Sequence, residues 1–172
     1  MRRMYSYNQL EEIVKKVIAD TSNYGDLVET FDGQLRLPAS LTVISSYCKV
    51  VRNFNELQFI FNARVQNATE ESIYIANDTQ VCNFGSLPTE LKEKIYAHNG
   101  NNLNHSDTEG SIAMTALYVS LPTSLGTGNP RYVNMYHSGG NIAFYHLGEN
   151  LSNLEIEAGQ VIDLEARISL AL

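Results

Sequence analysis

Strict alternation of apolar and polar residues near the end of the chain limits the folds that it can adopt. Over residues 161–172 an apolar side chain occupies every second position. The alternating set is Ile162, Leu164, Ala166, Ile168, Leu170 and Leu172. A period of two is typical of a strand with one face on a core and the other in water, whereas a helix would scatter these residues around its circumference. The segment therefore predicts a core-facing β-strand.

The same alternation recurs in residues 57–66, where Ile60 is the exception. Its apolar set is Leu57, Phe59, Phe61, Ala63 and Val65. Further strands are predicted at 41–51, 73–76, 79–84, 111–121, 131–137 and 141–147. Strands this close in sequence pair antiparallel, because a parallel crossover needs about a dozen connecting residues. The prediction is a mainly β chain, an antiparallel β-sandwich or jelly-roll-like head over 41–172, with no internal helix. Residues 89–94 are expected to cross a sheet end and 95–97 to begin another strand.

The residues before this head have a helical pattern. Apolar residues recur at alternating spacings of three and four, and the seam continues through Thr21, Tyr24, Val28 and Phe31. Its first positions are Tyr7, Leu10, Val14 and Val17. Such a heptad seam favours a short N-terminal α-helix in a trimeric coiled coil, the alternative being an amphipathic helix packed on its own β-domain. The predicted organisation is an oligomerisation or docking helix in 1–32, a linker in 33–40 and the head in 41–172.

Charge and composition exclude several classes of protein. The formal net charge is −7 and the pI is about 5.0, so a basic stripe that follows nucleic-acid phosphates is not expected. No apolar run approaches the roughly 20 residues that cross a bilayer, and no apolar segment follows Arg2 and Arg3 as in a secretory signal. We therefore expect no membrane insertion. Cys48 and Cys82 fit either a disulfide or two buried thiols, and the pattern favours the thiols.

The sequence carries no catalytic motif that we recognise. It has no glycine-rich phosphate loop followed by lysine and a helix, and no paired His or Cys at metal-ligand spacing. His137 and His146 lie on the two arms of one predicted hairpin, with no acid or cysteine at ligand spacing beside them. The prediction is a protein that is not an enzyme and uses no cofactor.

Two polar regions are candidates for recognition. The loop 98–110 is too polar to bury itself, and loops often carry recognition on a rigid sheet. The second region is a tyrosine-rich hairpin, whose aromatic faces and amide neighbours suit sugar recognition as well as packing. The candidate receptor-binding residues are Asn99, Asn101, Asn102, His105, Asp107, Tyr132, Tyr136 and Tyr145.

The order of elements after residue 41 also resembles a known group of proteins. A strand runs into Phe84-Gly85-Ser86-Leu87-Pro88, a later hairpin turns at Ser138-Gly139-Gly140-Asn141-Ile142, and an alternating strand closes the domain. This order resembles the C-terminal β-domains of bacteriophage tail-fibre, baseplate and related virion proteins.

The resemblance implies a homotrimer on a virion or phage-tail-like particle, assembled in the host cytoplasm. It further implies that the N-terminal segment docks on other virion proteins and that the head contacts the host surface, for which a glycan is the expected partner. Two alternatives stay open: a capsid-surface head fibre or decoration protein, and a stand-alone carbohydrate-binding module.

Overall fold

The computed structural model describes residues 28–53, 56–98, 110–120, 131–138, 141–148 and 152–171. Within them the chain is mainly β, with antiparallel sheets and one short helix, which confirms the predicted strand-dominated class. The strands are β1 (Val28–Asp32), β2 (Gln34–Leu35), β3 (Leu41–Asn53), β4 (Glu56–Asn67), β5 (Ile73–Ile75), β6 (Gln80–Asn83), β7 (Gly110–Ala116), β8 (Tyr118–Ser120), β9 (Arg131–Ser138), β10 (Asn141–Gly148), β11 (Leu154–Ile156) and β12 (Val161–Ala171). The helix, α1, spans Thr89–His98.

The first sheet, sheet A, has the strand order β1-β3-β4-β12-β8. Its centre is the long pairing of β4 with β12, which runs from Glu56 opposite Ala171 to Gln66 opposite Val161. The predicted apolar faces are confirmed over 57–65 and 162–168, where every second residue is buried, while Leu170 is half-buried and Leu172 lies outside the described residues. These buried residues are Leu57, Phe59, Phe61, Ala63, Val65, Ile162, Leu164, Ala166 and Ile168.

The second sheet, sheet B, has the order β2-β6-β10-β9-β7, and the predicted hairpin forms its β9–β10 pair. Three phenylalanine rings join the inner faces of the two sheets. The Phe84 ring lies 5.2 Å from Phe59 and 5.0 Å from Phe144, both edge to face, and Phe59 and Phe144 are 6.3 Å apart. Since Phe59 belongs to β4 and Phe144 to β10, one apolar core supports both sheets.

The chain passes between the sheets at two corners. At the first, Gly33 separates β1 of sheet A from β2 of sheet B and donates its N–H to the Cys48 carbonyl at 2.8 Å. A side chain there would bring its Cβ within 2.8 Å of the Phe84 ring and 2.9 Å of the Cys82 Sγ, so the close approach requires glycine. At the second corner the buried Leu117 separates β7 from β8 and donates its N–H to the Arg131 carbonyl at 2.9 Å.

The elements on either side of these two corners differ from three predictions. Val28–Asp32 is a strand, so the heptad seam does not extend through Val28 and Phe31; Val28 is exposed and Phe31 packs on the core, as alternation requires. Residues 33–40 contain β2 rather than only a linker. The predicted single strand 111–121 is divided at Leu117. The N-terminal positions Tyr7, Leu10, Val14 and Val17 lie outside the described residues, and their role stays a prediction.

Helix α1 corrects the expectation of an all-strand interior. It begins directly after Pro88, whose carbonyl accepts the N–H groups of Leu91 and Lys92 at 3.0 and 3.1 Å. Leu91 and Ile95 of α1 are buried, as is Leu87 just before the helix. Their spacing of four residues places the two helical side chains on one face of α1. Residues 95–97 therefore belong to a helix, and the predicted strand start there is wrong. No helix in the described ranges is long and apolar enough to cross a membrane.

A small third sheet pairs β11 with β5, and β11 was not predicted from the sequence. The fully buried Asn67 holds this sheet to the end of β4. Its Nδ2 donates to the carbonyls of Glu71 and Ile156 at 2.7 and 2.8 Å, and its Oδ1 accepts from Thr69 N and Oγ1 at 3.0 and 2.7 Å. A buried amide with all these partners stabilises the fold, because none of its polar atoms loses hydrogen bonding on burial.

The two cysteines are free thiols that face each other from opposite sheets. Cys48 is on β3 and Cys82 on β6, and both are buried. The hydrogen bond with the Cys48 thiol, together with burial, raises the pKa of Cys82 above its ordinary value. The interpretation of both residues as small buried core side chains agrees with this arrangement.

Candidate functional site

The three tyrosines predicted from the hairpin lie together on the outer face of sheet B. Tyr132 and Tyr136 alternate along β9, and Tyr145 of β10 pairs with Asn134 between them. Since paired residues of antiparallel strands project to the same side, all three point away from the core. The sequence-predicted cluster is therefore assembled by the β9–β10 hairpin.

Side chains on this outer face bind one another. The rings of Tyr136 and Tyr145 lie 5.6 Å apart, edge to face at 77°. Gln80 Nε2 donates to the Tyr145 hydroxyl at 3.2 Å, and Asn83 Oδ1 accepts the Gly85 N–H at 2.7 Å. We call this uncharged region the tyrosine–amide face, defined by Gln80, Asn83, Tyr132, Asn134, Tyr136 and Tyr145, all of them half-buried.

The other sequence-predicted receptor residues come from the polar loop. Asn99, Asn101, Asn102, His105 and Asp107 lie outside the described residues. Their contribution to recognition stays a prediction.

The outer face of sheet A carries a row of side chains that the sequence did not single out. Tyr47 pairs with Asn62, Asn62 with Glu165, and Glu165 with Tyr118. These four residues come from β3, β4, β12 and β8, so the row crosses four adjacent strands. It places a tyrosine at each end and an amide–carboxylate pair at the centre.

A groove of about 340 Å³ opens on this row. We call it the sheet A groove; its lining residues are Ile60, Phe61, Asn62, Tyr118, Glu165, Ala166 and Arg167. Tyr118 is 70% exposed, the most of any large apolar or aromatic side chain in the described residues. Tyr47, at the other end of the row, is 45% exposed. An aromatic ring so far from the core contributes little to packing and leaves its face free to stack on a ligand.

Polar atoms stand beside this ring. Asn62 Nδ2 donates to Glu165 Oε1 at 3.1 Å, which links two side chains of the groove lining. The side-chain amide oxygen of Asn62 and the second carboxylate oxygen of Glu165 remain as acceptors for ligand hydroxyls. Ile60 pairs with Arg167 across β4 and β12, and both side chains line the groove, the first apolar and the second cationic. A shallow, mixed surface of this kind suits a ligand with apolar C–H faces and hydroxyl edges.

The histidine that lies within the described side chains is internal. His146 is fully buried beneath sheet B; its Nδ1 lies 3.2 Å from the Ala76 carbonyl and its Nε2 has no partner. Burial lowers the pKa of His146, and the nearby charge of Arg131 lowers it further. Among the described residues no group of three His, Cys, Asp or Glu side chains is arranged to hold a metal ion.

The sheet A groove was missed because its residues come together only through pairing over long distances in sequence. Asn62 and Glu165 are 103 positions apart. The alternation did place Asn62, Glu165 and Arg167 on the polar sides of their strands, and this was the available signal. It could not identify Asn62 or Tyr118 as neighbours, because the register of β12 against β4 and β8 is not encoded in local pattern.

Comparison with models of protein families, with curated proteins and with solved structures found no match to this chain.

Proposed function

We propose that this chain is a structural protein of a bacteriophage or phage-tail-like particle, a trimeric fibre or baseplate appendage that binds a host-surface glycan. In this proposal the two large sheets form a β-sandwich head of jelly-roll type, and the N-terminal residues form the trimeric coiled coil and dock on other virion proteins. The protein acts by binding rather than by catalysis. The resemblance in the order of elements motivates the viral assignment.

The observation that best supports glycan binding is the row Tyr118–Glu165–Asn62 in the sheet A groove. A sugar ring has apolar C–H faces that stack on an aromatic ring, and its hydroxyls bind amide and carboxylate oxygens. Tyr118 supplies the ring, and Asn62 and Glu165 are already held at 3.1 Å from each other. A site whose polar groups are fixed before binding loses less entropy when the ligand arrives.

Glycan binding is tested by Tyr118→Ala in the full chain, with Tyr74→Ala as the matched control. Tyr74 is 51% exposed but lies on β5, where its hydroxyl donates to Glu155 at 2.9 Å. On a glycan array we expect Tyr118→Ala to abolish the wild-type signal and Tyr74→Ala to retain it. Equal signals from both variants would contradict the assignment of the groove.

The oligomeric state is tested by light scattering after size exclusion. We expect a mass of three chains, and a smaller mass when Leu10 and Val14 are both changed to Glu, since charges in a coiled-coil seam prevent association. A monomer in the wild type would remove the trimer from the proposal.

A stand-alone carbohydrate-binding module is the second candidate. It is favoured by the position of the groove, whose lining residues all lie between Ile60 and Arg167. If the Leu10→Glu and Val14→Glu variant is monomeric and binds a soluble monovalent glycan as tightly as wild type, the module acts without assembly. Attachment to a capsid surface instead of a tail differs only in the docking partner of the N-terminal segment.

A further inference from the structure

Charged side chains on the outer face of sheet A are almost all paired. Lys49 Nζ lies 2.9 Å from Asp32 Oδ1, and Arg64 Nε lies 3.9 Å from Asp163 Oδ1. Glu165 accepts from Asn62 at 3.1 Å, and Glu56 accepts from Gln58 at 3.4 Å. The strand register places each of these groups on the solvent side of the sheet.

Among the described residues of this face, Arg167 is the exception. It is exposed on β12, and within the described residues its guanidinium has neither an ion-pair nor a hydrogen-bond partner. The chain as a whole carries 19 acidic and 12 basic residues. A shortage of acidic groups therefore does not explain why this arginine lacks a partner. Arg167 also lines the groove, two positions beyond Glu165 on the same side of the strand.

The pairing of β12 with its described neighbour β8 does not extend to Arg167. The pairing of β8 with β12 ends at Tyr118 opposite Glu165, because the chain turns toward sheet B at Leu117. Arg167 therefore lies beyond the last β8 pair, with the apolar Ile60 opposite it on β4. A guanidinium is more weakly hydrated than an ammonium group, and it presents a planar fork of N–H donors that matches a carboxylate.

From these observations we infer that the sheet A groove selects an acidic saccharide, one whose sugar ring bears a carboxylate. The inference rests on the proposed glycan-binding function and names its ligand class. The carboxylate pairs with Arg167, the face of the ring stacks on Tyr118, and hydroxyls bind Asn62 and Glu165. The fixed carboxylate of Glu165 orients the ligand, because it attracts hydroxyl donors and repels the ligand carboxylate toward Arg167.

The test measures binding of the full chain to uronic-acid and nine-carbon ulosonic-acid oligosaccharides, each beside its own carboxyl-reduced form. We expect at least one acidic ligand to bind ten or more times as tightly as its reduced form, with an affinity that falls as salt is added. Arg167→Gln should remove this preference. Arg64→Gln is the matched control, since Arg64 is a cation of the same face that does not line the groove and already has Asp163 as a partner.

The outcomes separate the inference from the proposed function. Binding of acidic and reduced forms with equal affinity, lost in Tyr118→Ala and retained in Arg167→Gln, overturns the acidic ligand and leaves glycan binding in place. Absence of binding to every acidic and neutral saccharide overturns both. A preference for acidic ligands that Arg64→Gln reduces as much as Arg167→Gln shows general electrostatic attraction, and this also overturns the inference.

Discussion

Tyrosines on the outer faces of the two sheets are in opposite situations. On sheet B the rings of Tyr136 and Tyr145 meet at 5.6 Å, and the Tyr145 hydroxyl is bound by Gln80. On sheet A, Tyr118 is 70% exposed beside a groove. Charge differs as well: the tyrosine–amide face is uncharged, while sheet A carries ion pairs and, among the described residues, an arginine without a partner. Aromatic residues alone therefore do not mark a binding surface; what matters is whether neighbouring side chains already occupy their faces.

We propose that the tyrosines of sheet B pack that sheet and that Tyr118 of sheet A contacts a ligand, while receptor binding by Tyr132, Tyr136 and Tyr145 stays a prediction. The sequence-predicted residues Tyr132, Tyr136 and Tyr145 do share one face, as a receptor site requires. However, their half-buried rings and the Gln80 hydrogen bond stabilise sheet B itself. The sheet A groove offers the free aromatic face that the tyrosine–amide face lacks.

The largest expected effect on stability comes from the apolar core that the two sheets share. Phe144→Ala removes a ring that contacts Phe59 and Phe84, and we expect the free energy of unfolding to fall by about 3–5 kcal/mol. Denaturant unfolding followed by tyrosine fluorescence and by circular dichroism should give one shared transition in wild type and variant. Separate transitions for the two signals would show that the sheets unfold independently.

Removing a tyrosine from sheet B should have an intermediate effect. Tyr145→Ala loses both the edge-to-face contact with Tyr136 and the hydrogen bond from Gln80, so we expect a loss of about 2 kcal/mol. Glycan binding should be unchanged when measured at a temperature where the variant is folded. A loss of binding with unaltered stability would reverse the roles assigned to the two faces.

Acid should destabilise the protein through the histidine beneath sheet B. Because burial lowers the pKa of His146, the unfolded chain binds a proton that the folded chain does not bind as the pH falls below about 6.5. The free energy of unfolding should therefore decrease below that pH, by at most about 1.4 kcal/mol per pH unit for one proton. The measurement is the difference in unfolding midpoint between pH 7 and pH 5, and His146→Gln should reduce it. An unchanged slope in that variant would assign the acid sensitivity to other groups.

The smallest effect on stability belongs to sheet A. Tyr118→Ala should change the free energy of unfolding by less than about 0.5 kcal/mol, because the side chain is 70% exposed. Thermal unfolding of Tyr118→Ala beside Tyr145→Ala compares the same substitution on the two faces. A larger loss of unfolding free energy in Tyr118→Ala than in Tyr145→Ala would contradict the different roles proposed for the two tyrosines.

Local pattern predicted the strands but not their partners. The burial of Leu57–Val65 and Ile162–Ile168 at alternate positions follows directly from a period of two, and the β9–β10 hairpin follows from glycine in its turn. The seam through Val28 and Phe31 failed because a spacing of three fits a helix face and also opposite sides of a strand. The start of α1 was missed, since the spacing of Leu87, Leu91 and Ile95 was masked by a strand interpretation of 95–97.

The candidate site was less accessible to sequence analysis than the fold. Tyr118 was hidden in a single predicted strand, and only the corner at Leu117 transfers it to sheet A. Asn62, Glu165 and Arg167 were visible as polar positions, but 103 residues separate the two that bind each other. Such contacts depend on tertiary register, which no window of a few residues can reveal.

The central position of β12 affects how the protein is made. This strand pairs with β4 along its whole length, yet it is synthesised after every other described strand. Until residue 171 has left the ribosome, the N–H and C=O groups along one edge of β4 lack their partner strand and can pair with other chains. We therefore expect slow folding dominated by non-local contacts, with aggregation of nascent chains as the main competing process and chaperone binding as its natural remedy.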